Sequence, residues 1–213
     1  MSSAKDFWDK KAEGYAKSAI ADMPAYEYTL ERTKSYLKPS DRVLEIGAGT
    51  GSTALLLAPG VADYTASDIS SEMMRIGQQK AQAAEHDTSN LRFVTATPQD
   101  PALNTAPYDT LIALNLLHLI QDLPQLLSQL HAQIKPGGLL ISKSPCLRGK
   151  LGLKFGAIRL ALPLLHRLGV VPYVNIFSQQ DLDRMITEAG FEIIETGNYP
   201  AHPPNRYIVA KRA

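Results

Sequence analysis

Val43-Leu44-Glu45-Ile46-Gly47-Ala48-Gly49-Thr50-Gly51 is the stretch that decides the fold. Arg42 to Ile46 is a short apolar run of the length of a buried strand. It stops at alternating glycines, and Ser52-Thr53-Ala54-Leu55-Leu56-Leu57-Ala58 then reads as a helix that ends at Pro59-Gly60. Strand, glycine turn and helix in that order form the first half of a βαβ unit. Glycine lets the backbone take turn conformations closed to other residues and approach a ligand closely. Taken alone, such a turn is equally a tight connection with no ligand.

Outward from this stretch the rhythm repeats. Strands are expected at 63 to 67, 91 to 95, 108 to 117 and 139 to 144, with helices over 70 to 86 and 122 to 134. Ser178 reads as the N-cap of a helix that stops at Gly190, and 191 to 198 and 206 to 212 read as the last two strands. Alternating strands and helices imply an α/β doubly wound, mostly parallel seven-stranded Rossmann-like sheet with helices on both faces. Upstream, Phe7, Trp8, Ala12 and Tyr15 share one helical face over 6 to 17, with Asp6 as N-cap, and a second helix covers 24 to 37. Residues 1 to 38 thus form a helical cap on a single domain of 213 residues, since two domains in this length would both be undersized.

Residues 145 to 177 depart from the rhythm as an apolar, helix-prone insertion after the fifth strand. No Asp or Glu occurs between Asp122 and Asp181, whereas Arg148, Lys150, Lys154, Arg159 and Arg167 lie inside the insertion. Leu151, Leu153, Phe155, Ile158, Leu162, Leu165 and Leu168 can form an apolar wall over the cleft. The cations interrupt it too often for a transmembrane span, which leaves open peripheral contact with a membrane through 148 to 168. The plainer reading is a structural cap with solvated cations.

A net charge of +1 supplies no general field for a polyanion, so a small-molecule partner and no nucleic acid are expected. Cys146 alone forms no internal disulfide and lacks the clustered partners of a metal site. The first residues lack the apolar core of a signal peptide, so a cytoplasmic setting is expected, as a monomer or homodimer.

The dinucleotide fingerprint GxGxxG requires glycine at position 52, where this chain has Ser52. With Glu45 ahead of Gly47, Gly49 and Gly51, and with FWDKKAEGYA, SDISSEMM, NLLHLIQD, IKPGGLLIS and AGFEII in order, the chain resembles the class I methyltransferases dependent on S-adenosylmethionine (SAM). The branch it is most similar to is typified by ubiquinone and menaquinone biosynthesis. The resemblance spans nearly the whole chain outside the insertion. It implies SAM as cofactor, S-adenosylhomocysteine (SAH) as product and methyl transfer to a small, largely apolar acceptor: phenolic, quinone-like or thiol. An oxidoreductase on the same fold using a nicotinamide dinucleotide, and a noncatalytic SAM-binding module, are the alternatives.

Asp68 stands seventeen residues after Gly51, where a βαβ unit places its acceptor for ribose hydroxyls, or where a helix beginning near Ser70 has its cap. The resemblance implies that Asp68 holds the ribose, that Glu45, Gly47, Ala48, Gly49 and Gly51 cradle the cofactor, and that Ile69 and Met73 pack on adenine. It places Asn115 and Leu116 beside the methionine portion and Tyr15 over its carboxylate. After the third strand the family commonly has an acid; here Thr97 stands in that place with Pro98 and Gln99 beside it. His118, His166 and Tyr173 are weak catalytic candidates, with Tyr199 and His202 as further pocket candidates; His118 within NLLHLI reads more readily as a packed, hydrogen-bonded core histidine than as a base. SAM chemistry requires no protein nucleophile, so the lack of an obvious catalytic pair argues neither way.

Overall fold

β1 (Arg42–Ile46) sends Val43 and Glu45 to one face and Leu44 and Ile46 to the other, all buried, which marks a central strand covered on both sides. The structure, a computed structural model, describes residues 4–105, 107–148, 162, 164–167 and 170–213. Around β1 lie β2 (Asp63–Asp68), β3 (Leu91–Thr95), β4 (Tyr108–Leu114), β5 (Ile134–Pro145), β6 (Phe191–Asn198) and β7 (Asn205–Arg212), in the order β3-β2-β1-β4-β5-β7-β6. β1 to β5 pair in parallel, whereas β7 is antiparallel to both β5 and β6. The seven-stranded doubly wound sheet expected from the sequence is the one observed.

The helices are α1 (Ala4–Lys17), α2 (Met23–Tyr36), α3 (Ser52–Leu57), α4 (Ser71–Gln82), α5 (Leu123–Gln133) and α6 (Gln179–Glu188). On one face of the sheet, Leu44, Leu111 and Leu140 pack against Leu126 and Leu130 of α5 and Leu182 and Ile186 of α6. On the other, Val43, Ile112, Ile141 and Val209 meet Leu30 of α2 and Leu57 of α3. α1 joins neither core. It buries Ala12 against Met73, Met74 and Ile76 of α4.

Several local expectations are corrected. α1 starts at Ala4, so Asp6 lies in its first turn and does not cap it. The strand expected to reach 117 ends at Leu114, because Asn115 has φ 57° and a left-handed residue breaks the pleat. The helix expected to 86 ends at Gln82. Of the insertion, residues 162 and 164–167 are helical, whereas 172–177 run without a helix; Leu151, Leu153, Phe155, Ile158, Leu168, Lys150, Lys154 and Arg159 lie outside the described residues. Ser178 does cap α6, in a reciprocal capping box with Asp181.

Lys135 to Gly138, which lie between the expected helix and the expected strand, form a bulge inside β5. Tyr108 pairs with Ile134 and Thr110 with Leu139, so three extra residues are accommodated opposite Asp109. A Cβ on Gly138 would lie 2.6 Å from the Asp109 carbonyl oxygen and 2.7 Å from Ile134 Cγ2. At Gly137 it would meet nothing nearer than 3.8 Å, and the residue is constrained only by its φ of 78°. Gly138→Ala is therefore expected to destabilise the fold by roughly 2–3 kcal/mol, and Gly137→Ala by about 1 kcal/mol. Urea midpoints of the two variants check this, and the reverse order would rule out the close approach as the constraint.

Candidate functional site

The chain leaves β1 towards β2 on one side and returns to β4 on the other, so the crevice above β1 and β4 is the switch point where open sheets hold ligands. A single cleft occupies it. Gly47 and Gly49 line it after β1, Asp68, Ile69 and Met73 at and beyond the end of β2, Ala96 and Pro98 after β3, and Leu114, Asn115, Leu116, Leu119 and Ile120 at and beyond the end of β4. Ala4, Trp8 and Tyr15 of α1 close its mouth.

The glycine loop has its expected shape. Gly47, Gly49 and Gly51 have φ of 67°, 56° and 70°. A Cβ at Gly47 would sit 2.8 Å from Leu116 Cδ1, so the loop after β1 and the loop after β4 pack against one another only through a bare backbone. Gly51 starts α3 behind the loop, against the Phe93 ring, and neither it nor Ala48 lines the cleft.

Asp68 faces the cleft with both oxygens fixed. Oδ2 accepts from Gly49 N at 3.0 Å and Oδ1 from Ser70 N at 2.9 Å. A carboxylate has about four acceptor positions, and these amides take one on each oxygen. Burial raises its pKa, opposed by the amides of Ser70, Gly49 and Ile69. Asp68 is not the cap of α4; Ser70 is, accepting from Met73 N at 3.1 Å. Asp68 is also the one charged residue among the described residues lining the cleft.

Glu45 sits beneath the site without reaching it. It is 2% exposed, and Tyr64 Oη donates to its Oε2 at 2.9 Å. Burial lifts its pKa to about 7, with Asp68 adding and the Tyr64 hydrogen bond opposing. Tyr15 is 52% exposed as a residue, but desolvation of its hydroxyl end and the field of Asp68 and Glu45 raise its pKa, so it remains a donor. Its ring stands edge-on to Trp8, 6.5 Å between centroids. Asn115 is held by its amide on Lys143 O at 2.6 Å and by Asn205 Nδ2, which donates to its Oδ1 at 3.1 Å.

Of the expected binding residues, Tyr15, Gly47, Gly49, Asp68, Ile69, Met73, Pro98, Asn115 and Leu116 thus converge on one cleft. Thr97 is exposed outside it, and Gln99 lines a separate polar recess with Gln129 and Gln133. None of the catalytic candidates lines the cleft. His118 is largely buried, its Nδ1 has no partner among the described residues, and burial lowers its pKa to about 4. His166 stands edge-on to Tyr173 with Nδ1 3.3 Å from Val171 O. The Tyr199 ring lies against Tyr28 at a 41° tilt, 4.4 Å between centroids; like His202, it is not part of the cleft lining. The Cys146 thiol is buried and pushed up to about 11. Ala4, Ala96, Leu119 and Ile120 line the cleft but carry no sequence signal that separates them from ordinary core residues. Among the described residues no helix is long and apolar enough to cross a membrane.

Residues 15–196 match the family model of a methyltransferase domain. Over 115 residues, 49% of the chain, the sequence is 33% identical to a highly reducing polyketide synthase of Leptosphaeria maculans, of which that stretch is 4%. Among solved structures, the chain superposes with a TM-score of 0.75 and 14% identity on the Haloferax volcanii complex of a methyltransferase with the Trm112 methyltransferase activator, covering 99% of this chain and 97% of that one. With the Synechocystis magnesium protoporphyrin IX methyltransferase crystallised with SAH, the TM-score is 0.70 at 23% identity, covering 98% and 97%. At such identities the structural likeness speaks for the fold, and the family model for membership. The chain belongs to the methyltransferase-domain family.

Proposed function

We propose that the cleft binds SAM and that the protein methylates a small, largely apolar acceptor. The observation that carries this reading is the Asp68 carboxylate, aimed into the cleft by two backbone amides beside a left-handed glycine loop. Its remaining lone pairs suit the two ribose hydroxyls. Ile69 and Met73 offer an apolar surface to adenine, with Ala96 and Pro98 opposite. Asn115, Leu116 and the bare backbone at Gly47 and Gly49 flank the methionine portion, and the Tyr15 hydroxyl suits its carboxylate. Thr97 and Glu45 act at most from outside this shell. SAM held here would supply a methyl group already activated on a sulfonium, so the chain's own residues have only to orient the acceptor towards it and exclude water. The cleft's single charge is negative, which favours a sulfonium and opposes the alternative ligand, since a dinucleotide would set its pyrophosphate against Asp68 with no cation among the described lining residues.

The acceptor reading rests on Leu114, Leu119 and Ile120 beside Trp8, an apolar enclosure suited to excluding water from the reacting centre. Polyketide synthases among the relatives, and the resemblance to quinone methyltransferases, agree with a carbon-rich acceptor. We read residues 1–213 as one domain with 145–177 as a lid over the acceptor end. In support, Asn175 N donates to His118 O at 2.6 Å and Asn175 Nδ2 to Ile120 O at 3.4 Å, tying the end of that segment to the loop after β4. Isothermal titration is expected to show binding of both SAM and SAH, and radiolabelled SAM to transfer its methyl group to a member of a phenol, quinol, thiol and β-keto thioester panel. Binding of neither nucleotide would end the reading. Binding without transfer to any acceptor would leave a noncatalytic module.

A further inference from the structure

α1 has a double position in the molecule. Trp8 and Tyr15 on one side close the cleft, yet the helix is absent from both cores of the sheet and fully buries only Ala12. Short-range packing of so little apolar surface leaves much of its placement to polar contacts with α4: Asp9 makes two of those described, Lys5 one, and Glu13 an exposed ion pair with Arg75 Nη2 at 2.9 Å. The Asp9 Oδ1 accepts from Ser70 Oγ at 2.6 Å and from Glu72 N at 3.2 Å, so a side chain of α1 satisfies a free amide in the first turn of α4. Lys5, one turn earlier, pairs with Asp9 and donates to Ser71 Oγ at 3.2 Å. Hydrogen bonds from Lys5, then Ser70, hold the Asp9 carboxyl down to about 2, so it is charged under ordinary conditions.

Ser70 is shared by both ends of this arrangement. Its Oγ donates to Asp9 while accepting from Met73 N, and its own amide donates to Asp68 Oδ1. One residue therefore joins the helix that closes the cleft to the carboxylate that faces into it. We propose that Asp9 is a positioning residue, a latch that holds α1 shut over a ligand gripped by Asp68 and sets the rate at which that ligand leaves. The inference rests on the reading that the cleft holds SAM and SAH. A ligand that orders Asp68 orders Ser70, and Ser70 presents its hydroxyl to the lid; opening requires the Asp9 bonds to break first.

Trp8, the protein's single tryptophan, stands in the cleft wall and reports the event. Stopped-flow fluorescence with SAH, over a series of concentrations, separates association from dissociation. Asp9→Ala is expected to raise the dissociation rate at least tenfold while changing the association rate less than threefold. Asp9→Asn keeps an oxygen for both bonds and is expected to stay within threefold of the wild type; Lys5→Ala, which leaves both bonds intact, within twofold. Loss of general stability would not divide the two rate constants in this way. If Asp9→Ala releases SAH within twofold of the wild-type rate, or if Asp9→Asn releases it as fast as Asp9→Ala, the latch is overturned. A wild type that gives no heat with SAH would instead fail the functional reading itself. Should Asp9→Ala not fold, the Asp9→Asn rate and hydrogen exchange of α1 in the wild type decide, with α1 amides expected to gain at least tenfold protection on SAH binding and no gain counting against the latch.

Discussion

Asp68→Ala is expected to lower the affinity for SAH by about two to four orders of magnitude. Each ribose hydroxyl loses a charged acceptor, and a hydrogen bond to a charged group contributes about 1.5–3 kcal/mol, so two such losses correspond to roughly a hundredfold to ten-thousandfold in Kd. The variant also frees Gly49 N and Ser70 N, which loosens the glycine loop that Asp68 anchors. Asp68→Asn separates these effects, because its single oxygen keeps one acceptor and its amide group turns donors against donors; it is expected to fall between the wild type and Asp68→Ala. Isothermal titration measures both, with circular dichroism showing that each remains folded. Affinity within fivefold of the wild type for Asp68→Ala would mean that the ribose is held elsewhere and would remove the observation on which the cofactor placement stands.

The second large effect concerns stability and pH, where two buried groups act in opposite directions. Glu45 titrates at about 7 against an ordinary 4.5, raised by burial first, with Asp68 adding. A carboxyl raised in the folded state contributes stability that is fully present below 4.5 and is lost as pH rises through 7. His118 titrates at about 4 against an ordinary 6.5, lowered by burial. Its contribution is fully present above 6.5 and is lost as pH falls through 4. Each shift corresponds to roughly 3 kcal/mol, and the two windows overlap between 4.5 and 6.5. Wild-type stability is therefore expected to vary little between pH 7 and 4.5 from this pair. Glu45→Gln, which keeps an acceptor for Tyr64, exposes the histidine alone, and its stability relative to the wild type should fall by roughly 2–3 kcal/mol on acidification. His118→Leu exposes the carboxyl alone and should rise by a similar amount. Urea denaturation at the two pH values checks both signs, and parallel profiles for the three proteins would show that neither group carries the assigned shift.

Much of this molecule is legible in the chain. β1 and β3 stand where their apolar runs end, and Gly47, Gly49 and Gly51 all take the left-handed φ that their spacing suggests. Ser178 with Asp181 forms the expected helix start. These features are local: strand burial, turn conformation and capping are decided by residues within a few positions of one another. Asp68 was legible for a related reason, since the βαβ unit fixes the geometry between its glycine turn and the end of its second strand. Thr97 shows the limit, because the sequence supplies a loop after β3 but not the direction in which a given side chain of that loop points.

What the sequence determined by itself was the order of elements, the doubly wound sheet, the glycine loop and the acid beside it, because periodicity and turn chemistry act over short distances along the chain. Only the tertiary structure decided that Glu45 lies under the cleft, that Lys135 to Gly138 form a bulge against Asp109, that His118 is shut away from the cleft, and that Asp9 meets Ser70 across 61 residues. Those contacts depend on how packed layers bring distant segments to within hydrogen-bond reach, and nothing in the neighbourhood of either partner encodes the other.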